Sequence, residues 1–240
     1  MNIAKKISNK NNDLLGQKPI TIAFLGDSVT QGCFECYFDN DGKIQTVFDY
    51  ANSYPVKVRE VLNLLYPSAQ INIINSGVSG DSAPSGVARF DRDIAPYKPD
   101  LVILSFGLND ACAGKDYVEN YTNALRTLFE KTKSLGAECI FIFQNMMNTK
   151  VSPHLRDERE KDLAKYFAEI QNAGVVEFYC EKARETAQEC GVDFIDIYSV
   201  WKKMSENGVD TTELLSNKYN HPIRQFNLYT AIKIVEKIFE

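Results

Sequence analysis

No stretch of this chain approaches the roughly 18 to 20 consecutive apolar residues of a membrane-spanning helix. The opening MNIAKKISNKNNDLLGQKP holds no apolar core of an export signal. Lys and Arg, 27 together against 32 acidic residues, are scattered rather than gathered into a stripe, and the formal net charge is −5. A nucleic-acid partner is therefore not expected. Internal repeats, low-complexity tracts and linkers are also missing, so residues 1–240 read as one domain, and the expected location is cytoplasmic. With 44% hydrophobic and 25% charged residues the composition is that of an ordinary globular protein, long enough to bury a sizeable core.

Other absences narrow the chemistry. Six cysteines without an export signal are expected to stay reduced. Cys139, Cys180 and Cys190 fall in strand-like or helical stretches and read as small core fillers. Cys33-x-x-Cys36 is half of a zinc ribbon with no second pair, so neither a metal nor another cofactor is expected. Cys33, Cys36 and Cys112 lie near the candidate site loops, where packing is the simpler reading of each. There is no G-x-S-x-G elbow, GLNDACAGK has the wrong spacing for a phosphate loop, and no G-x-G-x-x-G opens a helix. NYT at 120–122 fits a glycosylation acceptor only formally, since it falls inside a predicted helix.

What is present is an alternation of two periodicities. ITIAFL (20–25), INIIN (71–75), DLVILSF (100–106), ECIFIFQ (138–144) and VDFIDI (192–197) are of strand length and continuously apolar, which predicts strands buried on both faces. Amphipathic segments separate them. Residues 53–66 carry Val58, Val61, Leu62 and Leu65 at helical spacing, and 116–136 carries Tyr117, Tyr121, Leu125, Leu128 and Phe129 before a stop at Gly136. A helical region over about 156–190 is expected to break near Gly174, and a terminal helix turns Ile232, Ile234, Val235 and Ile238 inward. The alternation predicts an α/β fold: a three-layer α/β/α sandwich on a five-stranded parallel sheet, flavodoxin-like. Residues 33–52, with DNDG between aromatic and β-branched flanks, predict a hairpin flap beside the end of the first strand, functional or merely decorative.

In such sheets ligands bind at the carboxyl ends of the strands. There the chain places GDS (26–28), NSGVSGD (75–81), GLND (107–110), QNMMNTKVSPH (144–154) and, before the last helix, NHP (220–222). Ser28 on a glycine-hinged corner reads as a turn or as a nucleophile; a nucleophile needs a base, and the chain has only two histidines. His221 is the base candidate. His154, on the same face, reads mainly as a loop histidine and, with Asp27, as a candidate substrate contact. Ser28 N–H, Gly77 N–H and the Asn109 carboxamide can supply an oxyanion hole, although taken singly Gly77 suits a positive-φ turn and Asn109–Asp110 a helix cap. Asp27 is further expected to turn its carboxylate back to loop amides, with Asp110 doing likewise.

These blocks resemble those of the SGNH, or GDSL-type, hydrolases, from residue 20 to the C-terminus. The resemblance implies the same three-layer fold, Ser28 as nucleophile and oxyanion donor, Gly77 and Asn109 in the oxyanion hole and His221 as catalytic base. One position departs: the family pattern D-x-x-H has Lys218 where the His-orienting aspartate belongs. Either Asp210 or Glu213 supplies a carboxylate, or Asn217 or a backbone carbonyl orients a Ser–His dyad; the dyad is the favoured reading. The implied function is a serine esterase hydrolysing carboxylic esters through an acyl-enzyme, with short-acyl (acetyl) esters of carbohydrates or similar polar alcohols as small-molecule substrates. A lysophospholipase or thioesterase of the same family and a catalytically weak carbohydrate-binding module are the alternatives. A flavin-binding protein would give Asn109 and His221 no shared role.

Overall fold

The computed structural model describes all of residues 1–240. In chain order the helices and strands are α1 (Asn2–Asn12), β1 (Ile20–Gly26), α2 (Ser28–Gln31), β2 (Cys33–Phe38), β3 (Ile44–Phe48), α3 (Tyr54–Leu65), β4 (Ile71–Gly77), α4 (Ala83–Asp93), β5 (Leu101–Ser105), α5 (Leu108–Ala111), α6 (Val118–Ser134), β6 (Glu138–Phe143), α7 (Glu158–Asn172), α8 (Val175–Glu189), β7 (Asp193–Asp196), α9 (Ile197–Glu206) and α10 (Arg224–Phe239). Five strands form one parallel sheet in the order β4-β1-β5-β6-β7. The chain starts on β1, steps to β4 on one side and then to β5 on the other, which opens a crevice at the carboxyl ends of these strands. β2 and β3 pair antiparallel outside the main sheet.

Helices cover both faces because the inner strands present apolar side chains both ways. Every residue of β5 is buried, as are Ile22 through Gly26 of β1, and a contiguous core of 51 buried residues joins sheet and helices. The two outermost strands differ from the expectation of full burial: Asn72 and Asn75 of β4 and Asp193 of β7 are exposed, since an edge strand has only one neighbour to cover it. In α10 the inward stripe is Ala231, Ile234, Val235 and Ile238. Ile232, expected inward, is exposed because it sits about 100° from that stripe. Leu65 and Tyr117 are exposed as well, Leu65 ending α3 and Tyr117 closing the 3-10 turn ahead of α6. The chain between α7 and α8 turns at Gly174, φ +68. α1, α4 and α9 are absent from the sequence reading; α1 and α4 are amphipathic but short and low in overall hydropathy, burying Ile3 and Ile7 and Ala83 and Phe90 respectively, and α9 follows β7 without a turn signal between them. No helix is long and apolar enough to cross a membrane.

Candidate active site

β1 runs apolar to Gly26 and stops because Asp27 caps the next turn: its Oδ1 accepts from Val29 N–H at 3.0 Å. Asp27 is buried, accepts a second bond from Gln144 Nε2 at 2.9 Å and is pushed up to about 6 by desolvation. Ser28 therefore sits at the first position of α2, above the carboxyl end of the sheet. It does not stand alone. Ser28 Oγ lies 2.9 Å from His221 Nε2, although 193 residues separate them. The other ring nitrogen, Nδ1, is 2.9 Å from the carbonyl oxygen of Phe34 on β2. A carbonyl only accepts, so Nδ1 carries the proton and Nε2 offers its lone pair to the serine hydroxyl. Burial holds the His221 imidazole down at about 4, opposed by the Phe34 hydrogen bond and the Glu35 charge, so the ring is neutral near pH 7.

No carboxylate orients the ring. Asp210 pairs with Lys150 at 2.6 Å, and Glu213 accepts from Ser152 at 2.6 Å and pairs with Lys218 at 3.0 Å, so both upstream candidates are excluded from that role. The reason is local: Lys218 adopts φ +65 and sends its ammonium to Glu213, away from the imidazole. Asn217 does not touch the ring either. Its Oδ1 accepts from the backbone N–H groups of Tyr219, Asn220 and His221, each at 3.0 Å, which fixes the loop that carries the imidazole. Asn145, just past β6, ties that loop to the sheet by donating to Asn220 O at 2.9 Å.

The donor set also differs from expectation at one residue. Gly77 ends β4, and its N–H is taken by Asn75 Oδ1 at 3.0 Å; a Cβ there would stand 2.2 Å from the Gln31 backbone nitrogen, so this glycine serves the packing of α2. Gly80, three residues on at φ +78, lines the cavity together with Ser28, Asn109 and His221. Asn109 gives one N–H to Asp81 O at 2.9 Å and keeps the second. Of the two glycines it is Gly80, and not the expected Gly77, that reaches the cavity. The glycine-rich NSGVSGD block contains both, and only the backbone path separates them. Arg89 holds this rim in place, donating to the Asp81 carboxylate at 2.6 Å, to Ser76 O at 2.6 Å and to Gly26 O at 2.9 Å.

The cavity measures about 240 Å³, with Cys36, Ile44 and Thr46 of the hairpin on one side and Leu163 and Phe167 of α7 on another. His154 is not part of it: the ring is exposed and lies 3.7 Å from Glu213. Asp27 is beneath the site rather than in it. Of the cysteines near the site loops, Cys36 lines the cavity, 3.9 Å from His221 Nδ1, while burial pushes the Cys33 thiol up to about 12 and the Cys112 thiol up to about 11. No three His, Cys, Asp or Glu side chains gather into a ligand set. Sequence reasoning allowed for a backbone carbonyl without naming Phe34 O, and it missed Arg89. The first is a backbone atom without a side-chain signature, and the second sits on a helix that the apolar pattern does not reveal.

A serine and a histidine thus meet at the switch point of a five-stranded parallel sheet, beside two further loops, in a three-layer α/β/α fold. Residues 24–225 match the GDSL-like Lipase/Acylhydrolase family, and the chain belongs to that family. It is 29% identical over 123 residues to an acetylxylan esterase of Geobacillus stearothermophilus, a stretch covering 48% of this chain and 54% of that protein. It is 27% identical over 121 residues to an arylesterase of Vibrio mimicus, covering 49% and 58%. The chain therefore spans about half the length of these relatives. Among solved structures, an acetylxylan esterase of Geobacillus stearothermophilus superposes with a TM-score of 0.66 at 21% identity, covering 91% of this chain and 94% of that one. The acetyl xylan esterase AlAXEase superposes at 0.66 and 18% identity, covering 91% and 100%. These two share the fold.

Proposed function

We propose that the protein is a serine esterase that removes short acyl groups, acetyl above all, from carbohydrates or similar polar alcohols. The observation that carries this is the Ser28 Oγ to His221 Nε2 contact of 2.9 Å, made by an imidazole whose remaining N–H is already committed to Phe34 O. Ser28 Oγ attacks the ester carbonyl carbon as its proton passes to His221 Nε2. Ser28 N–H, Gly80 N–H and the free N–H of Asn109 receive the oxyanion. As the tetrahedral intermediate collapses, the C–O bond to the alcohol breaks and His221 Nε2–H protonates the leaving oxygen. Water, deprotonated by the same nitrogen, then attacks the acyl-enzyme, releasing the acid and returning the proton to Ser28. General-base assistance of this kind contributes about 10² to 10⁴ in rate and one oxyanion donor about 10² to 10³.

Lack of an orienting carboxylate does not disable the pair. In chymotrypsin-type proteases an Asp-to-Asn change costs about 10⁴ in kcat because the imidazole takes the wrong tautomer, whereas Phe34 O enforces the productive one. Substrate size is supported by the cavity of about 240 Å³, below the roughly 300–1,000 Å³ of drug-sized ligand sites, and by the acetylxylan esterase named among the relatives. The six unpaired cysteines support a cytoplasmic setting. Ser28→Ala is expected to abolish hydrolysis of p-nitrophenyl acetate and labelling by a fluorophosphonate, and wild-type rates must fall steeply from C2 to C8 acyl esters. Retained turnover in Ser28→Ala overturns the mechanism, and equal C2 and C8 rates overturn the short-acyl preference.

A further inference from the structure

The hairpin that supplies Phe34 O is held in an unusual way. A two-stranded ribbon is marginal on its own, and β2 and β3 form no ladder with the main sheet. Much of its outer surface is open: Tyr37, Val47 and Phe48 are all exposed. Yet the hydrogen bond to His221 Nδ1 needs this ribbon fixed to a few tenths of an ångström. Beyond the long contact of Asn217 Nδ2 with Cys36 Sγ at 3.7 Å, a charged side chain bridges it to the segment that carries His221. Arg224, first residue of α10, donates Nη1–H to Glu35 Oε1 at 2.7 Å and Nη2–H to Glu35 Oε2 at 3.1 Å, and Nε–H to Asp49 Oδ2 at 2.7 Å. Its guanidinium carbon lies 4.2 Å from the centre of the Phe34 ring. Glu35 sits in β2 next to Phe34, and Asp49 follows the end of β3, so one planar fork grips both strands at the root of the hairpin and stacks on the residue whose carbonyl is used. Isolated surface ion pairs contribute little. A bidentate fork with a third hydrogen bond and a stacked aromatic face is geometrically specific, and lysine cannot reproduce it.

We propose that Arg224 is a positioning residue that takes over the task of the absent orienting carboxylate, clamping the β2–β3 hairpin so that the Phe34 carbonyl stays seated on His221 Nδ1. This rests on the esterase reading above, in which His221 is the base. Loosening the clamp has two consequences at the ring: water reaches it, and Glu35 loses its counter-charge. Glu35 is the charged group acting on the imidazole, and Cys36 Sγ is 3.9 Å from Nδ1. Both changes favour the imidazolium, so the acid limb of activity moves to higher pH.

The test compares wild type with Arg224→Gln and Arg224→Lys, using p-nitrophenyl acetate and fluorophosphonate titration of active Ser28. Per labelled site, Arg224→Gln is expected to lower kcat by about 10- to 100-fold, the scale of a misplacement of about 1 Å, with a smaller rise in KM because Cys36, Ile44 and Thr46 of the hairpin also line the cavity. Its acid limb rises toward the ordinary histidine value, and Arg224→Lys falls between. Arg126→Gln, which removes a surface pair with Glu189, leaves all three readouts unchanged. If Arg224→Gln keeps the wild-type kcat per labelled site and the wild-type acid limb, losing only labelled sites or thermal stability, the clamp merely holds the surface together and the proposal is overturned. A wild-type protein that does not label overturns the esterase reading instead, so the two failures are distinguishable.

Discussion

Replacing Asn217 by alanine tests how the loop of the base is held. Its Oδ1 is the single acceptor for three consecutive backbone donors, Tyr219, Asn220 and His221, each at 3.0 Å, and Asn217 is itself buried. Alanine leaves all three without a protein partner. A buried donor left unpaired costs about 1–3 kcal/mol. Asn220 and His221 border the cavity, so water entering there recovers part of the loss, and a total of about 2–4 kcal/mol is expected. At about 2–4 °C per kcal/mol for a domain of this size, thermal unfolding drops by roughly 5–15 °C. Activity falls further than stability at assay temperature, because the His221 backbone is one of the three released groups; a shift of about 1 Å costs up to about 10² in kcat. Asn217→Asp keeps the acceptor and gives up the Nδ2 donor, which serves Asn220 Oδ1 at 2.9 Å and Cys36 Sγ at 3.7 Å, so it retains more of both than alanine does. Calorimetry alongside kcat for p-nitrophenyl acetate decides the matter: an alanine variant within about 2 °C and about twofold in kcat of wild type refutes the anchoring role.

Further outcomes follow from the same geometry. A general base must be neutral, and burial holds His221 at about 4, so the acid limb of kcat/KM lies near that pH; a midpoint at or above about 6.5, the value of a free imidazole, contradicts a desolvated base. The same depression means the unfolded chain takes up a proton that the fold refuses between pH 6.5 and about 4, so this histidine lowers stability as the solution is acidified through that window. Buried Asp27 and Asp110, pushed up to about 6 and about 7, act in the opposite sense: they hold protons the unfolded chain has released above about 3.8, and their contribution to stability is lost as pH rises toward 7. Restoring the family pattern by Lys218→Asp is expected to leave kcat within about threefold, since Nδ1 is already satisfied in the productive tautomer. A gain of about tenfold or more would mean that the new carboxylate displaces Phe34 O.

The strands and most helices were legible because their apolar spacing answers directly to burial. ITIAFL and DLVILSF are covered on both faces, and the helical region over 156–190 divides at Gly174. What failed was whatever depends on neighbours. Edge position opens Asn72 and Asn75 to solvent, helix phase turns Ile232 outward, and α1 and α4 are too short and too low in overall hydropathy to announce themselves. The same division holds at the site. Ser28, Asn109 and His221 are named by side-chain chemistry at the ends of strands and converge on one cavity. Gly77 and Gly80 look alike in sequence because glycine has no side chain to distinguish them; the Gly77 N–H is taken by Asn75 Oδ1, whereas Gly80 borders the cavity.

By itself the sequence determined a parallel α/β sheet, the end of it at which the strand-end loops gather, and the serine and histidine proposed to act there, because each follows from residue type and local periodicity. Which group holds the histidine was decided by tertiary structure alone. Phe34 O, the Arg224 fork on Glu35 and Asp49, and the diversion of Lys218 to Glu213 are contacts between distant segments. A backbone carbonyl carries no residue identity, so its direction is set only when a hairpin folds against the end of a sheet.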